Sequence, residues 1–313
     1  MKSSLDIAFI TYEDLPAGDP DDRLALEHLL AAGYRAGFVD WRGDFEFASC
    51  PLLVLRSTWN YHKHFQAFSD WLKKVAAASV LANPLELVLW NLNKTYLRDL
   101  EEKGIAIVPT VFLDKSVGAE ELLSICKFAD GNLDGGSKGG SGKFVIKPTV
   151  GLATYGVKTF QSLGAADGEL SLALEHIKAV CRESKAMLQP YMNSVEADGY
   201  GERALVFIDG EFSHAVRKSA FQHLAVAGHA GEVAVEAADA EVDFASRVLA
   251  ALPQVPLYAR VDVVRDESGA LRLLELELVE PSLFLSLCGH GGARFAAAIE
   301  KRLSELRQKN SDS

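Results

Sequence analysis

The strand–helix–strand opening of this chain restricts its fold more than any other feature. A short apolar strand, Ile7 to Thr11, leads into the loop Gly18-Asp19-Pro20-Asp21-Asp22. A helical pattern follows from Arg23 to Ala32, with Asp21 and Asp22 as candidate caps and Gly33 as its stop. Further strands are expected over Gly37 to Asp40 and Leu52 to Leu55. This order points to a small parallel sheet with helices on its faces. Such sheets bind ligands beyond the carboxyl ends of their strands. The polar and aromatic run after the third strand, Arg56-Ser57-Thr58-Trp59-Asn60-Tyr61, is therefore a candidate substrate-side surface.

Downstream, residues 65–75 form an amphipathic stretch, and Asn83-Pro84 marks a boundary. A helix is expected to open at Asn91-Leu92-Asn93-Lys94, run through Leu100 and stop at Gly104. Strand signals recur at Val108 to Leu113 and Lys143 to Ile146, separated by a low-complexity Gly/Ser run over 131–143 that reads as a mobile surface connection. Four more strand segments follow, one a hairpin turning at Asp209-Gly210, and then a last helix from Ala293 to about Leu306. The expected architecture is α/β: a small parallel-sheet domain over 1–88, then α+β lobes over 89–190 and 191–313.

The net charge of -11 argues against a general nucleic-acid surface. Cys50, Cys126, Cys181 and Cys288 are scattered without a C-x-x-C pair, which fits a reducing compartment rather than zinc or disulfides. Acids at Asp6, Glu13 and Asp14 break up the start of the chain as a signal peptide, and no apolar run approaches the roughly 18 residues a membrane helix needs. A cytoplasmic protein without membrane or nucleic-acid partners is the expectation.

Two segments can carry chemistry. The Gly-Ser run lacks the spacing of a phosphate loop. Lys147, at the end of an apolar strand, precedes a loop holding Thr149, Gly151, Thr154 and Gly156, and so can bring a cation and backbone donors to phosphate oxygens. Alternatively, it is a plain strand-end lysine beside a hairpin. The second segment pairs Asp262, inside the strand YARVDVV, with Glu275 and Glu277, which alternate with leucines. The turn Asp266-Glu267-Ser268-Gly269 folds these strands back to within a residue or two of register. Three grouped carboxylates resist joint ionisation unless a cation sits among them, and an oxygen-only set selects Mg²⁺. The bland reading is the solvated face of an amphipathic sheet.

Taken in order, these parts resemble the ATP-grasp superfamily over roughly residues 90 to 306, most nearly its glutathione-synthetase-like branch. The resemblance implies phosphate contacts from Lys94, Lys147, Thr149, Gly151 and Gly156, and an adenine-binding hinge at Gln189, Pro190, Tyr191 and Met192. It further implies a ribose acid at Glu196, a D-x-R-like step at Glu202-Arg203, a phosphate-contacting Arg217, and Mg²⁺ ligands Asp262, Glu275 and Glu277. Lys147 and Arg217 would be the catalytic cations. The branch has E-x-N with a proline six residues after the Glu; here Pro281 follows Glu275 at that spacing, but Glu277 replaces the Asn. The Leu55-to-Tyr61 segment, with Thr11-Tyr12, Asp21-Asp22 and Asp40-Trp41, resembles an ATP-grasp subgroup that includes the O-ureido-serine cyclo-ligase of cycloserine biosynthesis.

The implied function is a ligase using ATP and Mg²⁺ to activate a small amino-acid-like carboxylate as an acyl phosphate, releasing ADP and phosphate. Tyr12, Arg56, Ser57, Thr58, Trp59 and Tyr61 would choose the substrate; Arg56 either grips a carboxylate or pairs within the protein. Two other classes stay open, a modifier of a protein or peptide terminus and a non-catalytic nucleotide-binding module. A homodimer is expected only from the superfamily's habit. The histidines are expected to be structural or solvated, His290 lying at a helix start.

Overall fold

The computed structural model describes residues 4–129, 142–152, 154–161, 168–196, 200–218 and 231–311. Most of the Gly/Ser run, together with His223 and His229, lies outside them.

Strands β1 (Ile7–Thr11), β2 (Ala36–Asp40), β3 (Leu52–Leu55) and β4 (Val80–Leu81) form a parallel sheet in the order β2-β1-β3-β4. Its two central strands are apolar at nearly every position because both faces are covered. Ile7, Phe9, Leu52 and Val54 face α1 (Pro20–Ala31) and α8 (Gly291–Ser311), whereas Ala8, Ile10, Leu53 and Leu55 face α2 (Phe65–Ala76). Helix α1 starts earlier than the sequence suggested. Asp19 is its N-cap, accepting from the Asp21 N–H at 2.8 Å, and Pro20 opens the first turn. This frees Asp21 and Asp22 for tertiary bonds. Asp21 accepts from the backbone N–H groups of Leu285 and Ser286 (2.7 and 2.8 Å), and Asp22 pairs with Arg56.

The helix expected to open at Asn91 opens only at Tyr96, and another helix precedes it. The preceding helix, α3 (Leu85–Asn91), ends where the expected one was to begin, and α4 (Tyr96–Glu102) follows after a break that holds Asn93 and Lys94. The Asn91 side chain is turned to tertiary use, bonding Leu276 O and the Leu278 N–H.

Strands β5 (Val111–Leu113), β6 (Phe144–Pro148), β7 (Lys158–Phe160) and β8 (Ala186–Pro190) form an antiparallel sheet in the order β5-β8-β6-β7. Phe144, Ile146 and Leu188 pack beneath α5 (Ala119–Ala129) and α6 (Glu169–Val180), neither of which was anticipated. Alternation sends Val145, Lys147 and Gln189 to the opposite face.

The third sheet, β11-β10-β9-β12-β13, is antiparallel: β9 (Glu202–Ile208), β10 (Glu211–Lys218), β11 (Val233–Val235), β12 (Tyr258–Arg265) and β13 (Leu271–Glu277). Leu205, Phe207, Val261 and Val263 pack against α3, α4 and α7 (Asp239–Ala250). The β9–β10 hairpin turns at Asp209-Gly210, both at positive φ (52° and 79°), as a type I′ turn requires. Two β-bulges break this sheet's register, one at Phe212/His214 and one at Asp262/Val263.

Candidate active site

The three sheets meet at a cleft of about 910 Å³, within the range for small-molecule sites. Its nucleotide-sized wing is walled by Val145, Lys147 and Pro148 of β6 and by Gln189 to Met192 after β8. Lys94, Gly151 and Tyr155 also reach it. The parallel-sheet side contributes Tyr12, Trp59 and Tyr61.

The cleft face of the third sheet is set by the bulges. Counting back from the Asp209-Gly210 turn, unbroken pairing would set Arg217 opposite Glu202. The extra residue, Ser213, shifts the register so that Lys218 pairs with Glu202 and Arg217 with Arg203. One residue of slip moves a side chain to the other face. Hence Lys218 and Glu202 line the cleft, whereas Arg217 and Arg203, expected at the phosphates, do not. The second bulge acts alike at β12–β13. From the Arg265–Leu271 pair inward, unbroken pairing would set Glu275 against Val261 on the apolar face. The extra residue, Leu274, brings Glu275 opposite Asp262 and Glu277 opposite Arg260.

The three acids therefore share a face, as expected, but they are not a bare carboxylate group. Arg260 Nε lies 2.8 Å from Asp262 Oδ1, and Lys218 Nζ lies 2.9 Å from Asp262 Oδ2. Lys218 also pairs with Glu202, Arg260 with Glu277, and Lys94 Nζ with Glu275 at 2.9 Å. Among the described residues no three His, Cys, Asp or Glu side chains form a ready metal cage. The physical reason is that the protein supplies its own cations, which the sequence reading omitted. Asp262, 1% exposed, lies beneath the surface of the cleft; Glu275 and Glu277 reach it.

These contacts set the ionisation. Against the cost of burial, Arg260 and Lys218 hold Asp262 far below the usual carboxylate range. Burial likewise opposes Glu275, but Lys94 and Lys147 hold it low. Glu277 is pushed up to about 7 by burial despite Arg260, with Glu275 and Asp262 adding to the rise. Burial lowers Lys147 below the ordinary lysine value, and among the described residues it makes no ion pair. Lys94 also donates to Gly151 O at 2.8 Å, tying the first lysine to the loop after β6.

Other expected residues fall in different places. Gln189 is 2% exposed and donates to Thr110 at 2.8 Å. The Tyr191 hydroxyl donates to Glu196 at 2.5 Å; Glu196 is exposed and does not line the cleft. Thr149 and Gly156 lie behind the lining, with the Thr149 hydroxyl buried. Arg56, Ser57 and Thr58 are buried and off the cleft, which corrects their expected contact with substrate. Arg56 Nε donates to Asp22 at 2.8 Å, Nη2 donates to Pro281 O at 2.7 Å, and the guanidinium lies over Tyr258 and Phe295. A guanidinium so packed is a strut between the first sheet and the chain after β13. Sequence reasoning missed Lys218, Arg260 and Glu280 as cleft residues, and had Glu202 only as part of the D-x-R-like step. Period-2 alternation from Asp262 could have found Arg260; the bulge hid Lys218. His290 stands at the start of α8, as expected, its carbonyl accepting from the Arg294 N–H.

Known proteins resemble this chain in sequence and in fold. The family described as "D-cycloserine synthetase DcsG, N-terminal domain" matches residues 7–83. The "Cycloserine biosynthesis protein DcsG" of Streptomyces lavendulae is 32% identical over 289 residues, covering 89% of this chain and 92% of that protein. A crystal structure of D-cycloserine synthetase DcsG superposes with a TM-score of 0.81 at 29% identity, covering 95% of this chain and 99% of that one. D-alanine–D-alanine ligase from Bacillus anthracis, complexed with ATP, shares the fold at a TM-score of 0.64 and 14% identity, covering 98% and 99% of the two chains. Fold and site thus define an ATP-dependent ligase of the ATP-grasp type. Within that class, its identity to the Streptomyces protein over most of both chains shows that the chain belongs to the DcsG family.

Proposed function

We propose that this ligase uses Mg-ATP to convert the carboxyl group of a small amino-acid-like substrate into an acyl phosphate, releasing ADP and phosphate. Because its relatives bear cycloserine-synthetase names, the leading substrate is an O-ureido-serine that cyclises. The observation that carries the reading is the pair Lys94 and Lys147 lining the cleft beside the acids Glu275 and Glu277.

In this reading the lobes of residues 89–190 and 191–313 clamp ATP, with adenine against Gln189 to Met192. Lys94, Lys147, Lys218 and Arg260 neutralise phosphate charge as it shifts during transfer. Glu275 and Glu277 offer the oxygen donors that Mg²⁺ favours, and Asp262, both of whose oxygens are taken by Arg260 and Lys218, would join them only by giving up one or both of these cations. When bound, the ion would screen the phosphates from these acids. The substrate carboxylate oxygen attacks the γ-phosphorus and ADP leaves; an amine-type nitrogen of the substrate then displaces phosphate from the acyl carbon. Tyr12, Trp59 and Tyr61 wall the substrate, and Tyr155 on the loop after β6 helps to shut out water.

The test is release of ADP and inorganic phosphate from Mg-ATP across a panel of amino acids and dipeptides that includes O-ureido-serine. Stimulation by one of them, abolished by Lys147→Ala, is the expected result. AMP and pyrophosphate as products would remove the acyl-phosphate route. Turnover with a peptide and with no free amino acid would instead make the chain a peptide modifier.

A further inference from the structure

Glu280 follows β13 by three residues and lines the cleft on its parallel-sheet side, yet it is only 5% exposed. Its Oε2 has no hydrogen-bond partner among the described residues. The chain on both sides of it is pinned. The Tyr258 hydroxyl donates to Val279 O at 3.0 Å and to Leu55 O at 2.8 Å, while Arg56 Nη2 donates to Pro281 O at 2.7 Å. A carboxyl group is thus held in place at the carboxyl edge of the parallel sheet, where such sheets receive ligands.

No neighbouring cation hydrogen-bonds it. Arg56 gives Nε to Asp22 and Nη2 to Pro281, and its buried Nη1 has no partner among the described residues, while Lys94 is committed to Glu275 and Gly151; both cations act on Glu280 only through space. Burial accordingly drives the Glu280 carboxyl well above its usual range, with Glu277 adding to the rise. Asp21, another acid on this side, has both oxygens occupied by backbone N–H groups. A buried acceptor without a donor is costly in the free protein and persists where a ligand supplies the donor. The rings of Tyr12, Trp59 and Tyr61 line the same cleft, Tyr61 within the electrostatic reach of Glu280, and aromatic faces also favour a cation.

We propose that Glu280 anchors a positively charged nitrogen of the substrate, so that this site selects a zwitterionic amino acid over a simple carboxylic acid. The assignment rests on the ligase reading above and narrows its substrate class. It differs from the roles of Glu275 and Glu277, which face the nucleotide cations.

The experiment compares the wild type with Glu280→Gln and Glu280→Ala, using O-ureido-serine and the analogue whose α-amino group is replaced by hydroxyl. Steady-state turnover is measured together with ligand binding in the presence of a non-hydrolysable ATP analogue. The expected result is a KM for the amino acid raised on the order of 30-fold or more in the variants, the yield of one charged hydrogen bond, with the KM for ATP unchanged. The wild type should prefer the amine to the hydroxyl analogue by a similar factor, and the variants should lose that preference. The ligand-free thermal midpoint should not fall, because an unpartnered buried carboxyl has been removed. An unchanged amino-acid KM, or a wild type indifferent to the amine, overturns the proposal. So does a fall in kcat alone with a displaced pH profile, which marks proton transfer, and so does a lowered midpoint with the amine preference intact, which marks a structural role. A wild type that neither binds nor turns over any amino acid overturns this proposal and the ligase reading together. Wild-type turnover with indifferent variants overturns only the assignment of Glu280.

Discussion

At the residue scale, the site works by placing cations where the chain also places acids. Lys147 makes no direct ion pair among the described residues, though Glu275 acts on it through space, and it faces the cleft, so its charge is available to a phosphate. Lys147→Ala should lower turnover about 100-fold or more while leaving the unfolding transition in place, as for loss of one electrostatic contact in a transition state. ADP release and thermal denaturation check the two halves. Lys218→Met should lower turnover comparably, whereas Arg217→Ala, on the other face of β10, should stay within a few-fold of wild type. Arg56 makes a different prediction. Burial pushes its partner Asp22 up to about 6 despite the guanidinium, above the ordinary 3.8. The fold therefore takes up a proton there, and the stability that Asp22 contributes at low pH is lost as pH rises through about 6. In Arg56→Met the carboxyl group rises further still. The variant should be about 3 kcal/mol or more less stable near pH 8, with a smaller deficit near pH 5, by urea denaturation at both pH values.

At the element scale, two one-residue bulges matter more than any propensity. Each adds one residue to a strand and so exchanges the faces of everything beyond it. Deleting Ser213 should return Arg217 to the face of Glu202 and send Lys218 to the apolar side. The expected outcome is loss of ligase activity with a lowered or absent unfolding transition, measured on the purified deletion variant. The loop that leads into α1 is comparably constrained. Gly18 has φ +66°, and a Cβ there would lie 2.0 Å from the Phe38 ring. Gly18→Ala should cost about 2 kcal/mol or more, combining left-handed strain with overpacking, and circular dichroism melts would register it. Asp19 caps the same helix, so the loop serves helix start and sheet packing together.

At the scale of the whole molecule, the cleft lies where three sheets meet, the first and third sharing one apolar core with α1 and α8 and joined besides by a few buried polar struts. Asn83 bonds the Leu257 N–H and the carbonyls of Tyr258 and Leu278; Tyr258 bonds Leu55 and Val279; Arg56 bonds Asp22 and Pro281. These struts converge on the edge of the parallel sheet where Glu280 sits. Because the clamping walls belong to different sheets, a nucleotide that bridges them should stabilise the whole. A non-hydrolysable ATP analogue with Mg²⁺ at about 100 times its Kd should add about 2.7 kcal/mol to unfolding. The rise in melting temperature should largely disappear when EDTA removes the metal. An equal rise without metal would count against acidic ligands at Glu275 and Glu277.

The sequence by itself determined the order of parts. Apolar strands alternating with a helix specify the parallel sheet, Asp209-Gly210 specifies the β9–β10 hairpin, and the lysine and acid segments carry enough local pattern to mark the ATP-grasp class. These features are local, depending on period, turn chemistry and short motifs. The tertiary structure alone decided which side of a strand each residue faces once a bulge intervenes, and which charges neutralise which. It placed Lys218 rather than Arg217 in the cleft, turned Arg56 into a buried strut, and left Glu280 Oε2 without a partner among the described residues. Register and tertiary pairing arise between segments that can lie 225 residues apart, as between Arg56 and Pro281. No window of sequence contains both partners, and one inserted residue inverts the answer.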